Sequence, residues 1–197
     1  MFTGIVAAVG RITQISPLPK GLRLKIATDD LPLNDAQLGD SICVNGVCLT
    51  AVNLLEGAFE ADVSRETLDC TVGLDQQGEV NLEKSLTLAD RLGGHLVSGH
   101  VDGVGEVLRF EAIGESWFLE IRAPGELARY IARKGSVTVN GVSLTVNHVQ
   151  GDVFDINIIP HTRAVTTFRN LIAGDRVNLE IDLIARYCER ILSYQKT

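Results

Sequence analysis

Short runs of alternating apolar and polar residues recur along the chain. Residues 22–26 (LRLKI) alternate strictly, and residues 117–121 (WFLEI) show the same kind of pattern in the second half. Such runs, bounded by turn-forming Gly, Asn and Asp residues, are typical of half-buried β-strands. Because the runs are short and turns separate them at regular intervals, they predict small closed β-barrels rather than alternating strands and helices.

The chain also contains an internal repeat. Residues 41–50 (SICVNGVCLT) return as residues 136–145 (SVTVNGVSLT), an offset of 95 with seven of ten positions identical, and residues 80–83 (VNLE) return at 177–180 with an offset of 97. The repeat predicts two similar barrels, one over residues 1–96 and one over residues 97–183. Each half is close to the smallest size at which a core is stable, so docking of the halves or oligomerisation would stabilise both.

Two stretches have helical character instead. Residues 126–133 (ELARYIAR) are good helix formers and end in basic residues before Gly135, which predicts a short helix. Beyond the repeat, apolar residues recur at 183, 184, 187, 191 and 192, which predicts an amphipathic helix over residues 184–197. That terminal helix has two candidate roles, oligomerisation or packing on its own barrel.

The repeated Asn-Gly pair predicts a β-hairpin in each half. Asn45-Gly46 suits a two-residue type I′ turn, which sets Ser41 opposite Thr50 and Cys43 opposite Cys48. One face of the hairpin is then apolar and the other carries small hydroxyl and thiol groups. That second face is either exposed to solvent or the floor of a ligand pocket, and its lack of long charged side chains favours the pocket.

The two halves differ at several positions that carry titratable or nucleophilic side chains. The paired differences are Cys48/Ser143, Ile5/His100, Ala7/Asp102, Gly39/Lys134, Glu66/His161 and Ser85/Asp182. The first half therefore has the thiol, and the second half has additional histidine, lysine and aspartate side chains. This distribution predicts that one pocket from each half contributes to a single asymmetric site.

Composition narrows the class of protein. The 197 residues carry a net charge of −7 and a pI near 5.1, which disfavours binding to nucleic acids or anionic membranes. The N-terminal residues lack the pattern of a signal peptide, and no apolar run reaches the roughly 18 residues of a membrane span. The four cysteines lack the spacing of a zinc site. We therefore expect a cytoplasmic protein with reduced thiols and no metal.

Five segments together carry a resemblance to a known family. They are residues 1–6 (MFTGIV), 45–50 (NGVCLT), 93–100 (GGHLVSGH), 140–145 (NGVSLT) and 177–182 (VNLEID). With them, essentially the whole chain resembles riboflavin synthase, a family built from two lumazine-binding repeats. The resemblance implies two six-stranded antiparallel Greek-key barrels followed by a helix.

The resemblance also implies a reaction. Family members dismutate two molecules of 6,7-dimethyl-8-ribityllumazine to riboflavin and 5-amino-6-ribitylaminouracil by transfer of a four-carbon unit, as the last step of riboflavin biosynthesis. They use no cofactor. The family forms homotrimers whose active site lies between the first half of one subunit and the second half of its neighbour, and lumazine synthase, the preceding enzyme, is a candidate partner.

Four catalytic residues carry over from the family. Ser41 and Cys48 are expected at the reacting centre, where Cys48 either supplies a nucleophile or hydrogen-bonds a developing charge. His100 is the expected general acid and base, because the ordinary pKa of histidine lies near neutral pH. Asp182 is expected to orient His100 or to share in proton transfer.

Substrate contacts carry over in two sets. The first pocket is expected to use Gly4, Ile5, Val6, Cys48, Leu49, Thr50, Asp62, Val63, Ser64, Arg65, Glu66 and Thr67. The second is expected to use Gly99, His100, Val101, Lys134, Ser143, Leu144, Thr145, Ile159, Pro160, His161, Thr162, Arg163 and Ala164. Some family members have an acidic residue at the position of His161. Two alternatives remain: a non-catalytic lumazine- or flavin-binding protein of the same family, and a structural scaffold of tandem barrels.

Overall fold

The computed structural model describes residues 1–194, which form two closed antiparallel barrels of six strands each. The first barrel consists of β1 (Ala8–Leu18), β2 (Gly21–Ala27), β3 (Ser41–Val44), β4 (Val47–Leu55), β5 (Ala58–Ser64) and β6 (Gly78–Lys84). The second consists of β7 (Gly103–Ile113), β8 (Ser116–Arg122), β9 (Ser136–Val139), β10 (Val142–Gln150), β11 (Val153–Ile158) and β12 (Arg176–Ile181). The predicted fold class is confirmed.

Both barrels have the same strand order. In the first, β1 pairs with β2 and β6, and β5 returns to lie between β2 and β4. The second repeats this order as β7-β8-β11-β10-β9-β12. A short helix follows the fifth strand of each barrel, α1 (Arg65–Cys70) in the first and α2 (Pro160–Val165) in the second.

Each barrel encloses its own hydrophobic core. Phe59 is fully buried in the first core, and its counterpart Phe154 is 2% exposed in the second. The inward-facing positions of the strands are mostly Val, Ile and Leu, which fit a pleated, buried surface. The period-two pattern of the sequence therefore fills two separate interiors.

The predicted hairpin register is confirmed in both halves. Ser41 pairs with Thr50 and Cys43 pairs with Cys48, while in the second half Thr138 pairs with Ser143. Asn45 and Asn140 have φ values of +50° and +46°, and the glycines that follow them are also at positive φ, as a type I′ turn requires.

The segment at residues 126–133 is less helical than its composition predicts. Only one turn of 3₁₀ helix forms, at Ala128–Tyr130. Leu127 and Ile131 are both buried in the second core, and the N–H of Lys134 donates to the carbonyl oxygen of Val146 on β10. Anchoring to the barrel on both sides leaves room for a single turn.

The C-terminal helix is α3 (Leu183–Tyr194), which begins one residue before its predicted start. The last residues of the predicted range, 195–197, lie outside the described residues. None of the residues of α3 is buried, and Ile184, Tyr187, Ile191 and Leu192 are all more than half exposed. None of the helices in residues 1–194 has both the length and the apolar character needed to cross a membrane.

Candidate active site

The segment that precedes each barrel crosses to the other barrel. The carbonyl oxygen of Gly4 accepts a hydrogen bond from the N–H of Ser143 at 2.8 Å, and the carbonyl oxygen of Gly99 accepts one from the N–H of Cys48 at 2.7 Å. Cys48 and Ser143 occupy matching hairpin positions. The polar face of each hairpin therefore lies against a backbone segment of the opposite half.

Two buried glutamates hold these crossing segments in place. The carboxylate of Glu83 accepts from the N–H groups of Thr3 and Gly4 and from the Thr3 hydroxyl, at 2.6–2.9 Å. The carboxylate of Glu180 accepts from the N–H groups of Ser98, Gly99 and His100 at 2.7–3.0 Å. Burial raises the pKa of both carboxyl groups, and the N–H donors oppose that shift.

Neither glutamate is among the site residues predicted from the sequence. The signal that could have identified them is the repeated VNLE motif, which ends in Glu83 and in Glu180. An acidic residue that follows a buried apolar run in both copies has a shared structural task, and here that task is to bind the crossing segments.

The close approach of the crossing segments requires glycine. Gly4 and Gly99 both have φ near +75°, a conformation that other residues rarely adopt. A Cβ at Gly99 would lie 2.7 Å from the Cβ of Cys48, and one at Gly4 would lie 2.6 Å from the Cβ of Ser143. Both predicted substrate-binding glycines thus bring their backbones against the matching hairpin residue.

The polar face of the first hairpin is only partly available to a ligand. Cys43 is 2% exposed, and burial raises the pKa of its thiol. Ser41 and Cys48 are half-buried and Thr50 is exposed. Because the opposite half covers Cys43, and Thr138 in the second hairpin is 1% exposed, the prediction of a continuous pocket floor is wrong for these two residues.

A cavity of about 620 Å³ borders this polar face at Ser41. Ser41 and Ile5, two predicted site residues, line it together with Thr3 and Ser85. Its volume lies within the range of roughly 300–1,000 Å³ that small-molecule sites occupy. The first half therefore has room for a ligand next to Ser41.

His95 is a functional candidate that the sequence comparison missed. Its Nδ1 lies 2.7 Å from the Oγ of Ser143, and its Nε2 lies 3.3 Å from the Oγ1 of Thr138. Burial lowers the pKa of His95, and the negative charge of Asp182 opposes this shift. Under the 95-residue offset His95 aligns before Met1, so a comparison of the two halves could not single it out.

His100 and Asp182 make separate hydrogen bonds in the second half. The N–H of His100 is bound to Glu180, and its side chain is exposed. The Oδ1 of Asp182 accepts from the N–H of Ile184 at 2.9 Å, which caps the start of α3. Asp182 therefore has a structural contact of its own, and its negative charge also acts on the pKa of His95.

The remaining residues predicted for the first pocket, 62–67, lie at the end of β5 and in the first turn of α1. Arg23 binds the carboxylate of Asp62 through two N–H groups, at 2.6 and 2.8 Å, and this lowers the pKa of Asp62. Ser64 caps α1 by accepting from the N–H of Thr67 at 3.1 Å. Ala51 pairs with Ala61 on the neighbouring strand, so Thr50 and Asp62 lie near each other in the sheet.

The matching segment of the second half is built differently. Pro160 lies in the first turn of α2. The guanidinium carbon of Arg163 lies 4.5 Å from the ring centre of Trp117. Lys134 adopts φ +63° at the position where the first half has Gly39 at +95°, and its Nζ donates to the Oδ1 of Asn147 at 3.1 Å. A lysine in this backbone conformation is uncommon outside functional or tightly constrained positions.

Comparison with known proteins agrees with the tandem architecture. The Lumazine binding domain family matches the chain twice, at residues 3–85 and 98–182. The fold and these two matches define a tandem lumazine-binding protein.

Curated relatives narrow this class. The chain is 46% identical to riboflavin synthase of Photobacterium phosphoreum, over the whole of this chain and 91% of the relative, and 45% identical to riboflavin synthase of Brucella abortus over the full length of both. It is 46% identical to riboflavin synthase of Mycobacterium tuberculosis over 98% of each chain. The chain belongs to the riboflavin synthase family, whose members are transferases.

Solved structures with the same fold contain ligands. The crystal structure of LumP complexed with riboflavin has a TM-score of 0.82 and 27% identity, and covers 92% of this chain and 99% of LumP. LumP complexed with 6,7-dimethyl-8-(1′-D-ribityl) lumazine has a TM-score of 0.80 and 26% identity over the same shares of the two chains.

Proposed function

We infer that the chain catalyses the riboflavin synthase reaction, the dismutation of two 6,7-dimethyl-8-ribityllumazine molecules to riboflavin and 5-amino-6-ribitylaminouracil. The observation that carries this inference is that two lumazine-binding barrels in one chain present different groups, Cys48 and Ser143, at the same hairpin position. Two barrels suit two substrate molecules, and the differing residues suit two different roles for those molecules.

The first chemical demand is removal of a proton. Conjugation with the ring acidifies the 7-methyl group of the lumazine, so a base can form a carbanion there. His100 is our candidate acid and base, since its side chain is exposed and its backbone is held by Glu180. Asp182 is the candidate for orienting His100 or sharing in the proton transfer.

The second demand is addition of a nucleophile to the other lumazine. Cys48 is the candidate for supplying or orienting that nucleophile, because it is partly accessible whereas burial raises the pKa of the Cys43 thiol. Ser41, on the paired strand β3, lines the cavity of about 620 Å³. His95, which precedes the second half, holds the hydroxyl of Ser143 in that half at 2.7 Å and so fixes a polar group for the second lumazine.

Substrate binding is assigned to the two matched sets of segments. In the first pocket these are residues 4–6, 48–50 and 62–67, and in the second they are residues 99–101, 134, 143–145 and 159–164. The Asp62–Arg23 pair, the Ser64 cap and the Arg163–Trp117 contact support this assignment, because each fixes the shape of a predicted binding segment. Holding both rings in fixed opposition removes much of the entropic barrier of a bimolecular reaction.

We propose that the protein forms a homotrimer in which the first half of one subunit and the second half of another complete each active site. The apolar side chains that α3 exposes, including Tyr187 and Ile191, support assembly through this helix. Light scattering of the full chain and of a Tyr187→Ser/Ile191→Ser variant tests this. We expect the parent to have the mass of three subunits and the variant to have a lower mass. A monomeric parent would refute the proposed trimer.

Location and partners complete the proposal. We place the protein in the cytoplasm, which four free cysteines within residues 1–194 support. Lumazine synthase is a candidate partner because its product is the substrate of this reaction. Co-sedimentation of the two purified proteins would test the association.

Turnover is the direct test of the proposed reaction. Purified protein is incubated with the lumazine, and riboflavin formation is followed by absorbance and fluorescence. We expect catalytic riboflavin production that Cys48→Ser and His100→Ala reduce without loss of fold. Tight binding of the lumazine with no product would show a binding protein of the LumP kind instead. Unaltered turnover in both variants would refute the residue roles.

A further inference from the structure

In the second half, an ion pair joins the C-terminal helix to the segment that carries His100. Arg186 of α3 places Nη2 2.8 Å from Oδ1 and 3.0 Å from Oδ2 of Asp102. The Asp102 side chain is only 11% exposed, whereas that of Arg186 is 40% exposed. Asp102 is two residues after His100, so the helix is linked to this segment through a largely buried carboxylate.

Asp102 in turn fixes the segment to β12. Its Oδ2 accepts from the N–H of Ile181 at 2.9 Å, and its own N–H donates to the carbonyl oxygen of Leu179 at 2.8 Å. Glu180, between these two residues, holds the N–H groups of Ser98, Gly99 and His100. Residues 98–102 are thus bound to β12 by two neighbouring carboxylates, Glu180 and Asp102.

The first half has no such link. Ala7 stands in the place of Asp102, and Ala89 stands in the place of Arg186 under the 97-residue offset. The space is open there as a cavity of about 620 Å³, and the matching cavity of the second half, beside Arg186, has only about 200 Å³. The two cavities correspond because Ala7, Leu31 and Lys84 line the first, and their counterparts Asp102, Glu126 and Ile181 line the second.

We propose that Arg186 is a positioning residue for His100, so that α3 takes part in building the catalytic site as well as presenting an apolar surface. Removing the guanidinium leaves two nearly buried carboxylates side by side without a positive partner, which weakens the hold of β12 on residues 98–102. The inference rests on the proposed role of His100 in riboflavin formation.

The test compares two substitutions on α3. Arg186→Met removes the pair with Asp102, and Glu189→Gln removes the second ion pair of the helix, Glu189 with Arg129 at 3.6 Å, which does not reach the His100 segment. Backbone hydrogen exchange of residues 98–102 reports on the segment independently of activity. We expect exchange about tenfold faster in Arg186→Met than in the parent, and parent-like exchange in Glu189→Gln.

Kinetics provide the second readout. We expect Arg186→Met to lower kcat about tenfold, with a smaller change in KM and with the mass of the parent assembly retained. Arg186→Lys keeps a positive charge and is expected to recover part of kcat. The double variant Asp102→Asn/Arg186→Met is expected to have a higher kcat than Arg186→Met alone. It removes the unpaired charge, while Asn can still accept a hydrogen bond from the N–H of Ile181.

Several results would overturn the proposal. The first two are hydrogen exchange in Arg186→Met as slow as in the parent, and equal losses of kcat in Arg186→Met and Glu189→Gln. The other two are a loss of kcat that occurs only when the assembly dissociates, and a kcat of the double variant no higher than that of Arg186→Met. A parent protein that binds lumazine without forming riboflavin would refute the proposed function instead, and hydrogen exchange would still decide whether Arg186 holds the segment.

Discussion

The N–H of Cys48 donates to the carbonyl oxygen of Gly99 at 2.7 Å, so the candidate thiol of the first barrel lies against the residue that precedes His100. The same bond joins Ser143 to Gly4 at 2.8 Å at the matching position of the repeat. The two barrels are therefore connected through the segments that carry predicted site residues, and changes at these contacts will affect both stability and activity.

Gly99→Ala tests the crossing contact. The new Cβ would lie 2.7 Å from the Cβ of Cys48 at a residue whose φ is +75°, so we expect a loss of about 2–4 kcal/mol in the free energy of unfolding, measured by urea titration. Gly57→Ala is the matched control, because Gly57 has φ +66° with open space around it, and should cost only about 1 kcal/mol. Equal losses would mean that backbone strain alone accounts for the effect.

The two hairpin cysteines are expected to separate stability from catalysis. Cys48→Ser should lower kcat by about a hundredfold while the melting temperature changes little. Cys43→Ser buries a hydroxyl in place of a thiol at a site that is 2% exposed, and it should lower the free energy of unfolding by about 1–3 kcal/mol with a much smaller effect on kcat. A large loss of kcat in Cys43→Ser with little loss in Cys48→Ser would show that Cys43 is the reactive residue.

His95 should make stability depend on pH below neutrality. Its pKa is lowered in the folded protein by burial, so the unfolded chain binds this proton more readily in the range below the ordinary value of about 6.5. The stability that neutral His95 contributes is then complete above that value and is lost as the pH falls towards the lowered pKa.

His95→Asn should reduce this pH dependence, which urea midpoints between about pH 5 and 8 would measure. Turnover should fall over the same range in the parent, because protonation of His95 disturbs its bond to the Ser143 hydroxyl. His148→Asn is the control, since His148 is exposed on β10 and pairs with Asp155 away from the site. An undiminished pH dependence in His95→Asn would contradict the assignment.

Asn178 is expected to be a main determinant of barrel docking. Its side-chain Nδ2 donates to the carbonyl oxygens of Asn45 and Val72, and its Oδ1 accepts from the N–H of Val72. Asn178→Ala would leave these groups without partners at a site that is 1% exposed, and it should lower the free energy of unfolding by about 2–4 kcal/mol.

Two matched variants check that prediction by chemical denaturation. Asn81→Ala, at the equivalent position, removes two side-chain contacts across the halves, to Asn140 and Thr167, and should have a somewhat smaller effect. Asn53→Ala removes an exposed contact with Glu60 and should change stability by less than about 0.5 kcal/mol. A loss at Asn178 no larger than that at Asn53 would rule out the proposed docking role.

Local patterns in the sequence were sufficient for most of the fold. An Asn-Gly turn and a period of two specify the register of the hairpin at Asn45, because both are properties of neighbouring residues. The repeat predicted two barrels, because each copy carries the same local patterns. Helical spacing predicted the start of α3 to within one residue. The motifs also led to the family, and the roles of Ser41, Cys48 and His100 remain predictions.

Only the tertiary structure decided how the halves meet. The crossing of residues 2–4 and 97–99, the burial of Cys43, the hold of Glu83 and Glu180 on backbone N–H groups, and the approach of His95 to Ser143 all join residues distant in the chain. A hydrogen-bond partner supplied by a distant segment leaves no period in the sequence. The sequence by itself thus determined two barrels with unequal chemistry, and their docking determined which of the unequal groups lie together.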